Sequence, residues 1–576
     1  MTDATTAGPT DRPPQANWFS RDLNLQSILA RRWPDGIDRW REPLADFAAW
    51  AAAEVDPQAE FSDRTAPPEL EAYDRAGRRI DRVRYNPAWR AVSREVYRRG
   101  IVGLNYGALE SGSEAAPFLV TFAMGYLLAQ ADISLHCPVT MTGAVAHVLD
   151  RYAPAAVRDA YLPDLVRTDG EALTGGTWAT ELHGGSDVGA TTTTARPAGD
   201  HVLLDGLKWF VSNAGGGLAL ATARPEGAAE GGAGLGLYLV PATRPDGGPN
   251  PMRIRRLKDK LGTRGIATGE VELDGTWAVE VAPPPDGLKL MMEALEFSRL
   301  QNVMGALGVQ RRVFVEALDY AAARVAFGRP ITAFPMLQDE LLRILVPLEA
   351  GCALGFEAAA AFDAALADAA ARPWLRLVTA LAKFRTAEDA NTACRVAMEV
   401  VGGNAYTYDY PFARLLRDAQ VLSIWEGPAN IQALELLRLL GNRAPGHEAF
   451  EARLAGILDA APADLDGPAQ ALAAARADFR AALSHIRGDG AEAQRHARRL
   501  MGLMADILAA ALLVEEAAEG LARGDARKAL VARLFVEDRL APPARRGIGP
   551  GRAWVSRHFD ALVGGAPIAA DHLAKS

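Results

Sequence analysis

The decapeptide SIWEGPANIQ, residues 423–432, places one carboxylate, Glu426, directly before a predicted helix. Proline at the first helical position lacks the N–H that the first turn leaves unpaired, so we expect Gly427 as the N-cap and Pro428 as the first helical residue. Apolar residues recur with helical spacing through ANIQALELLRLL, and the next glycine is expected to end the helix. The helix dipole favours an anion at this end, whereas burial beside Trp425 opposes it. Glu426 is therefore either a tuned base or a capping charge, and the spacing leaves both open.

The composition bounds the class of protein. The chain has 576 residues, 49% hydrophobic and 23% charged, which is typical of a soluble globular protein of several domains. Its net charge of −9 predicts no whole-molecule attraction to nucleic acid or to an anionic membrane, although a local basic patch stays open. The three cysteines are far apart, so we expect buried, reduced thiols in a cytoplasmic protein. We also expect no secretory signal and no membrane span, because MTDATTAGPTDRPPQANW is polar and no apolar run reaches membrane length.

The predicted elements change in type along the chain. A loosely ordered arm with a few anchoring aromatics precedes a helical segment, a β-rich segment, a second helical segment, and a proline- and glycine-spotted joint that leads to a helical tail. Within the β-rich segment, the Asp-Gly step of HVLLDGLKWFVSN predicts a hairpin between two short strands. The expected boundaries are 1–45 for the N-terminal arm, 46–170 for the N-terminal α domain, 171–285 for the middle β domain, 286–440 for the C-terminal α domain and 441–576 for the helical tail.

Familiar cofactor and catalytic motifs are missing from the sequence or out of context. GGAGLG at 231–236 looks like a dinucleotide loop, but the residues after it predict a strand rather than the required helix, so we expect a turn. The sequence contains no Walker A run, no HExxH and no G-x-S-x-G, and its nine histidines do not fall at metal-ligand spacing. No metal site is therefore predicted.

Two segments of the β region are candidate ligand contacts. GGTWATELHGGSD, residues 175–187, combines glycines that allow close backbone approach with the hydroxyl groups of Thr180 and Ser186. Taken alone, it also fits an ordinary loop. In KWFVSN, Phe210 and Ser212 share one face of a strand, where an aromatic ring and a hydroxyl group can flank a ligand ring.

The ordered set of motifs carries more information than any one of them. TELHGGSD, KWFVSN, RVAFGRPI, MEVVGGNAY, RLLRDAQ and IWEGPANIQ follow one another with α, then β, then α segments around them. Over roughly residues 70–440, this arrangement resembles the acyl-CoA dehydrogenase family of FAD flavoenzymes. PPELEAYDRAGRRIDRVRYNPAWR, CPVTMT, RLKDKLG and SIWEGPANIQALELLRLL further resemble the branch of that family linked to the adaptive response to DNA alkylation, which also has a helical tail. The resemblance implies an α+β fold with an N-terminal helical domain, a middle β-barrel-like domain, a C-terminal helical bundle and an extra C-terminal helical tail.

The same resemblance implies an FAD site between the β domain and the C-terminal helices. Phe210 would pack on the flavin and Ser212 would approach its reactive edge. Arg324 would reach the pyrophosphate of FAD in a neighbouring subunit, with Phe327 beside it, and Gln338 would lie near the adenine. The other implied FAD contacts are Thr177, Thr180, Ser186, Val211, Gly402, Gly403, Trp425 and Asn430.

Within the family, the position of Glu426 is that of the catalytic base. A thioester α-proton is weakly acidic, so its removal needs a carboxylate shielded from water and a polarised carbonyl. The implied reaction is α,β-desaturation of an acyl-CoA or related thioester, with the α-proton going to Glu426 and the β-hydride to the flavin. Arg299 would lie nearby and bias the charge of that carboxylate. The implied partners are an electron-transferring flavoprotein as acceptor and further copies of the chain, in at least a dimer and usually a tetramer.

Four residues depart from the common pattern of the family. Glu399 stands where many members have Gln beside the pyrophosphate, and Pro428 stands where many have Thr. Ser212 and Phe210 replace Thr and Trp. Flavin binding is expected to survive these changes, whereas the sequence does not predict tight CoA binding.

A second function stays open for the tail. An alkylation-response flavoprotein with little dehydrogenase turnover would bind DNA through arginines in RHARR (495–499) and RRGIGPGR (545–552). Basic and acidic residues are nearly equal in number over 441–576, so a solvated helical face that packs subunits together explains the tail equally well. An oxidase relative would share the fold, and the sequence does not distinguish electron transfer from reaction with oxygen.

Overall fold

The computed structural model describes residues 17–107, 115–441, 446–486, 490–540 and 553–575. Helices come first, a β domain follows, and a second set of helices leads into a helical tail. The predicted fold class is therefore confirmed, including the barrel-like middle domain and the extra C-terminal helices.

The N-terminal part is ordered from the first residues that the structure describes. Trp18 and Phe19 are buried, and the Asp22 carboxylate caps the first helix by accepting a hydrogen bond from the Leu25 N–H. The expected loosely ordered arm is therefore wrong for residues 17–45, and the earlier residues lie outside the described part. The elements are α1 (Leu23–Arg32), α2 (Asp38–Trp50), α3 (Asp56–Arg64), β1 (Glu69–Tyr73), β2 (Arg79–Arg84), α4 (Pro87–Arg98), α5 (Phe118–Ala131), α6 (Ile133–Tyr152) and α7 (Ala155–Val166).

The antiparallel hairpin of β1 and β2 interrupts these helices and was not predicted from the sequence. The Asp74 carboxylate organises its turn by accepting hydrogen bonds from the N–H groups of Ala76 and Arg78, and Gly77 supplies the positive φ of 77°. Charged residues occupy much of both strands, so neither shows the apolar pattern by which a strand is recognised in a sequence.

The middle domain closes into a barrel-like sheet. The ring is formed by successive pairing of β6, β4, β5, β9 and β7, and it closes because β7 also pairs with β6. Its strands are β3 (Thr177–Trp178), β4 (Thr194–Pro197), β5 (Val202–Ser212), β6 (Leu218–Pro225), β7 (Gly236–Pro241), β8 (Met252–Leu257) and β9 (Thr268–Ala282). GGAGLG forms a short 3-10 turn before β7, as predicted.

The Asp-Gly step in HVLLDGLKWFVSN does not form the predicted hairpin. Strand β5 runs straight through it with only a shift of register between Leu204 and Gly206. A Cβ atom at Gly206 would lie 2.4 Å from Thr193 Oγ1, so glycine is required here by a close backbone approach. The Asp205 carboxylate instead accepts a hydrogen bond of 2.7 Å from the Gly275 N–H in the partner strand β9.

Strands β6 and β7 join the barrel to the helices, because successive side chains of a strand point to opposite faces of the sheet. Ala219 and Ala221 lie in the barrel core, whereas Leu218 and Leu220 lie in the large core that the helices share. This arrangement packs the barrel against the helix that follows β9, which also carries Arg299 of the candidate site.

The C-terminal α domain is built around one long buried helix, α8. Buried arginines of this domain are paired with acids. Arg312 of α8 and Arg414, further along the chain, both bind the Asp56 carboxylate, at 2.8 and 2.9 Å, which ties this domain to α3. Helix α12 begins at Ala429 with Pro428 as its N-cap, so the predicted start was one residue too early. The elements are α8 (Asp286–Ala323), β10 (Val325–Ala326), β11 (Arg329–Pro330), α9 (Pro335–Ala367), α10 (Arg372–Val401), α11 (Phe412–Leu422) and α12 (Ala429–Leu439).

The tail is a set of helices that starts inside the segment predicted to be a joint. Its first helix lies where proline and glycine had indicated an irregular connection, so that expectation is wrong for residues 446–460. The tail helices are α13 (Gly446–Ala460), α14 (Asp466–Ile486), α15 (Gly490–Ala522), α16 (Arg527–Arg539) and α17 (Ala553–Gly564).

Buried ion pairs attach the tail to α9. The Glu349 carboxylate accepts from Arg527 Nη1 at 3.1 Å and from Lys528 Nζ at 2.7 Å, and Lys528 also binds Glu516 at 2.8 Å. Burial opposes the charge of Glu349, but the two cations of α16 outweigh it and lower its pKa to about 2. The tail is therefore an integral part of the fold.

Two further findings bear on the sequence analysis. Among the described helices, Pro335–Ala367 is long and apolar enough to span a membrane, but 89% of its most apolar window is buried inside the protein, as in a core helix. The three cysteines are free and buried.

We predict that Glu349→Ala loosens the tail, because it leaves Arg527 buried without its acid and Lys528 with Glu516 alone. The expected cost is about 3–5 kcal/mol of stability. Hydrogen exchange over residues 446–540 measures it, with Glu340→Ala as the control, since Glu340 forms a solvent-exposed pair with Arg343 on the same helix. The contribution of Glu349 should be present at neutral pH and decline as pH falls from about 4 towards 2, because its folded pKa is lowered. Equal exchange in the two variants would contradict this assignment.

Candidate active site

Glu426 lies in the loop between α11 and α12 in an uncommon backbone conformation. Its φ is 57°, in the left-handed region that non-glycine residues rarely adopt, and Gly427 follows with a φ of 93°. The carboxylate atom Oε2 is buried and has no hydrogen-bond partner among the described residues. Burial raises the pKa of Glu426 to about 7, against the opposing effect of the nearby cations Arg299 and Lys383. A partner-free carboxyl group that titrates near neutral pH has the properties of a general base.

A capping hydrogen bond through Oε2 is not observed. The N-cap of helix α12 is Pro428, and Oε2 of Glu426 accepts no hydrogen bond from the described N–H groups of the first turn. The Glu426 carboxylate therefore does not satisfy the free N–H groups of the first turn, which is what a capping residue does.

Side chains from three helices hold the backbone at this position. Arg299 Nε of α8 donates to the Glu426 carbonyl at 3.1 Å, and Lys383 Nζ of α10 donates to the Gly427 carbonyl at 2.7 Å. Gln432 Nε2 of α12 donates to both carbonyls, at 3.0 and 3.2 Å. These bonds stabilise a conformation that is strained for glutamate. The structure thus brings Arg299 to Glu426 as predicted, and Lys383 and Gln432 are additions that the sequence analysis missed.

The same helices fix the surroundings of Glu426. Arg299 also pairs with Glu296 at 3.3 Å, and burial raises the pKa of Glu296. Trp425 donates through its indole N–H to the Asn302 side chain, which in turn bonds the Leu422 carbonyl at 3.2 Å. Trp425, one of the predicted contact residues, is therefore held in place next to Glu426.

In the middle domain, a buried ion pair anchors the segment that contains Thr177 and Thr180. Trp209 N donates to the Thr180 carbonyl at 2.9 Å, and Lys208 Nζ donates to Glu181 at 2.8 Å. Burial opposes ionisation of Glu181, but Lys208 and hydrogen bonds from two threonines lower its pKa to about 2. The ion pair holds this segment against β5. Ser186 lies further along the same segment and is exposed.

Strand β5 presents Phe210 and Ser212 as the sequence predicted. The Phe210 side chain is 54% exposed, and Ser212 is half-buried on the same strand. The Val211 side chain lies in the barrel core, so only its backbone is left to contact a ligand. Lys258 Nζ lies 4.6 Å from the centroid of the Phe210 ring. The strand therefore offers an aromatic ring and a hydroxyl group together.

A polar chain leads inward from Ser212. Its Oγ lies 3.4 Å from Thr268 Oγ1, which accepts from Lys260 Nζ at 3.0 Å. Burial lowers the pKa of Lys260 to about 8, and the thiol of Cys137 on α6 is a neighbour of both Ser212 and Lys260. Cys137 belongs to CPVTMT and Lys260 to RLKDKLG, two stretches that the sequence analysis used only for their family resemblance. Nothing in their spacing indicates that they meet in the fold.

The glycines after α10 leave room for a ligand. Gly402 has a φ of 74°, and a Cβ atom built at Gly402 or Gly403 would meet no atom within 4 Å. Glu399, the unusual acid nearby, is ion-paired with Arg395 at 2.8 Å, which offsets its charge. Asn430, at the start of α12, is exposed.

The residues predicted to serve a neighbouring subunit lie on a separate surface, around β10, β11 and the start of α9. Phe327 is 96% exposed with a φ of 51°, and Arg324 is also exposed. Gln338 is buried: its Nε2 donates to the Thr332 carbonyl at 2.9 Å and its Oε1 accepts from Ser556 Oγ of α17 at 2.8 Å. Its amide is thus engaged within the chain, which the prediction of an adenine contact did not anticipate.

Two features of the tail bear on metal and DNA binding. Within the described part of the chain, ligand atoms of His485, Glu492 and His496 lie within 4.8 Å of one another, although the sequence predicted no such group. Arg495 lies 3.5 Å from the Glu492 carboxylate, and Arg498 pairs with Glu388 at 3.1 Å, so these tail arginines are partly neutralised by acids. The second arginine-rich stretch, RRGIGPGR, lies outside the described residues.

Comparison with known proteins agrees with this geometry. Residues 11–170 match the adaptive response protein AidB N-terminal domain, residues 176–276 the acyl-CoA dehydrogenase middle domain, and residues 285–440 the acyl-CoA dehydrogenase C-terminal domain. The chain therefore belongs to the acyl-CoA dehydrogenase family. The match at its N-terminus places it among the AidB-like members, as the sequence resemblance implied.

Two sequence comparisons and one structural comparison illustrate the extent of the similarity. AidB of Escherichia coli strain K12 is 36% identical over 388 residues, which are 66% of this chain and 70% of AidB. Acyl-CoA dehydrogenase family member 11 of Caenorhabditis elegans is 30% identical over 468 residues, 78% of this chain and 74% of the relative. The crystal structure of Caenorhabditis elegans ACDH-11 in complex with C11-CoA has a TM-score of 0.85 at 27% identity, covering 94% of this chain and 95% of that chain.

We predict that Lys208→Met destabilises the middle domain by about 3–5 kcal/mol, because Glu181 then stays buried without its cation. Hydrogen exchange over residues 177–225 measures the loss. Lys289→Met is the matched control, since Lys289 forms a solvent-exposed pair with Asp286 at 3.8 Å. The stabilisation by Glu181 should be complete above about pH 4 and be lost as pH falls towards 2, and the variant should lack this dependence. A variant as stable as its control would refute the role given to the pair.

Proposed function

We propose that the protein is an FAD-dependent acyl-CoA dehydrogenase in which Glu426 removes the α-proton of an acyl thioester and the β-hydride passes to the flavin. The observation that carries this proposal is the buried, partner-free Oε2 atom of Glu426, held in a left-handed backbone by donors from α8, α10 and α12. The carboxylates of Glu181 and Glu349, which stabilise the fold, bind neighbouring cations directly, whereas Oε2 of Glu426 has no hydrogen-bond partner among the described residues.

The chain offers groups that fit FAD. Phe210 and Ser212 present a ring and a hydroxyl group for a flat heterocycle, and the open backbone at Gly402 and Gly403 leaves room for phosphates. Arg324 is exposed and can reach a phosphate of a neighbouring subunit. When bound, FAD supplies the two-electron acceptor that no protein side chain provides.

The chemistry assigned to the chain itself is proton removal. Burial strips water from the Glu426 carboxylate and makes it a stronger base than an exposed glutamate. The positive charges of Arg299 and Lys383 act in the opposite direction and keep part of the population ionised at neutral pH. A base with a pKa near the working pH combines the correct protonation state with sufficient proton affinity.

Substrate and partners follow from the relatives and from the exposed surface. The ACDH-11 structure contains C11-CoA, which supports an acyl-CoA substrate for this chain. Phe327, Met336 and Tyr406 are large and highly exposed, which favours an assembly in which a second copy covers them, and a tetramer is the assembly that we propose. An electron-transferring flavoprotein is the proposed acceptor, and the cytoplasm the proposed location.

DNA binding through the tail has less support than dehydrogenation. The acids that pair with Arg495 and Arg498 reduce the positive potential of RHARR, and non-specific binding to DNA requires several unneutralised cations.

We predict that Glu426→Gln retains FAD but is reduced by acyl-CoA at least about 100-fold more slowly, because the amide cannot accept the α-proton. The measurement is anaerobic titration with short, long and branched acyl-CoAs, followed by flavin absorbance. Glu399→Gln is the control, since that acid is paired at the surface and removes no proton. Equal reduction of Glu426→Gln and wild type would contradict the proposal. A wild-type flavin that stays oxidised with every thioester would contradict it as well, and salt-dependent fluorescence anisotropy with DNA would then be measured.

We predict that Arg324→Ala lowers the FAD content of the purified protein, because a cation that reaches the pyrophosphate is removed. Absorbance at the flavin band relative to protein gives the occupancy, and size-exclusion chromatography with light scattering gives the number of subunits. The control is Arg343→Ala, another exposed arginine of this region, which binds Glu340. Full occupancy in Arg324→Ala would refute the proposed contact.

A further inference from the structure

Lys383 is a buried cation beside the proposed base. It lies in the middle of α10 and is 1% exposed. Its ammonium group donates to the Gly427 carbonyl at 2.7 Å, one residue after Glu426. Burying a lysine costs free energy unless its charge is compensated, so its presence here calls for a functional explanation.

The charges that face the pair come from several elements. Arg299 of α8 repels the ammonium group, whereas Glu426 and, from the next turn of α10, Glu388 attract it. Burial is the largest effect and lowers the pKa of Lys383 to about 7. From α6, Cys137 also interacts with Glu426. Lys383 and Glu426 therefore titrate in the same range as two coupled groups.

The cation sits near the carboxylate without quenching it. Its hydrogen bond goes to the Gly427 carbonyl, and Oε2 of Glu426 keeps no hydrogen-bond partner in the part of the chain that the structure describes. A direct ion pair would satisfy the carboxylate and weaken it as a base. The observed arrangement leaves the carboxylate able to take a proton while placing a positive charge behind it.

We propose that Lys383 is a positioning residue for Glu426: its ammonium group fixes the Gly427 carbonyl, and with it the left-handed loop, and its charge holds the carboxylate in the ionised form. The catalytic part of this inference rests on the proposed dehydrogenase function. Arg299 acts in a similar way from α8, because it donates to the Glu426 carbonyl and its charge also favours the ionised carboxylate, so Lys383 is the second of two such cations.

The pH dependence of flavin reduction tests the proposal. In Lys383→Met the carboxylate loses a stabilising charge, so the pH at which reduction reaches half its maximum should rise by about one unit, which is a roughly tenfold slower reduction at pH 6. Lys383→Arg keeps the charge and should not shift upward. Arg385→Met is the matched control, because it removes a cation from the same helix that faces Asp506 of the tail.

Three outcomes would overturn the assignment. They are a Lys383→Met profile that superimposes on that of the wild type, an equal shift in Arg385→Met, or an upward shift in Lys383→Arg. If Lys383→Met does not fold, Lys383→Arg still tests the proposal. A charge effect predicts a pH profile that does not shift upward in Lys383→Arg. A purely structural role predicts that reduction is impaired at all pH values although the charge is retained.

A second measurement does not need flavin reduction. The infrared carbonyl band of protonated Glu426 is isolated as the difference between wild type and Glu426→Gln, and it is followed from pH 5 to pH 9. The band should persist to a pH about one unit higher in Lys383→Met than in wild type. An unshifted band overturns the role of Lys383 even if an acyl-CoA reduces the flavin. A shifted band supports it even if none does, so failure of the proposed function is distinguished from failure of this inference.

Discussion

The hydrogen bonds to two consecutive carbonyl groups, those of Glu426 and Gly427, are the interaction on which the site depends. Their donors lie on α8, α10 and α12, which are far apart in the chain and meet only in the folded bundle. A left-handed glutamate costs on the order of 1–3 kcal/mol, and the surrounding donors offset that cost. The conformation of Glu426 is therefore set by tertiary packing, and the loop sequence alone does not fix it.

The same chain treats its buried acids in two ways. Glu181 and Glu349 are each surrounded by donors and cations, and their pKa values fall to about 2. The Glu426 side chain is half-buried with its Oε2 atom shielded from solvent, and the donors around it bind its backbone, so burial raises its pKa to about 7. Between Glu181 and Glu349 on the one hand and Glu426 on the other, the difference is which atoms the neighbouring donors and cations contact.

Sequence reasoning predicted the order of helical and β segments, the helix after Glu426 and the proximity of Arg299 to that residue, because these depend on local patterns or on a motif set that occurs in one order. It missed Lys383, since α10 is buried on most sides and a lysine in such a helix has no polar stripe to explain it. It also read the Asp-Gly step at 205–206 as a turn, whereas the close approach of Thr193 across the sheet explains that glycine. Contacts between distant segments, such as that of Gln338 with Ser556, leave no signal in local spacing.

The way in which Glu349 is shared has an evolutionary consequence. Its carboxylate lies on α9, within the segment that matches the C-terminal domain of the family, but both of its cations come from the tail. A chain that lost the tail would lose both of these ion pairs, and the removal of α16 would expose the carboxylate that they compensate. Gain or loss of the tail is therefore coupled to the electrostatics at this position.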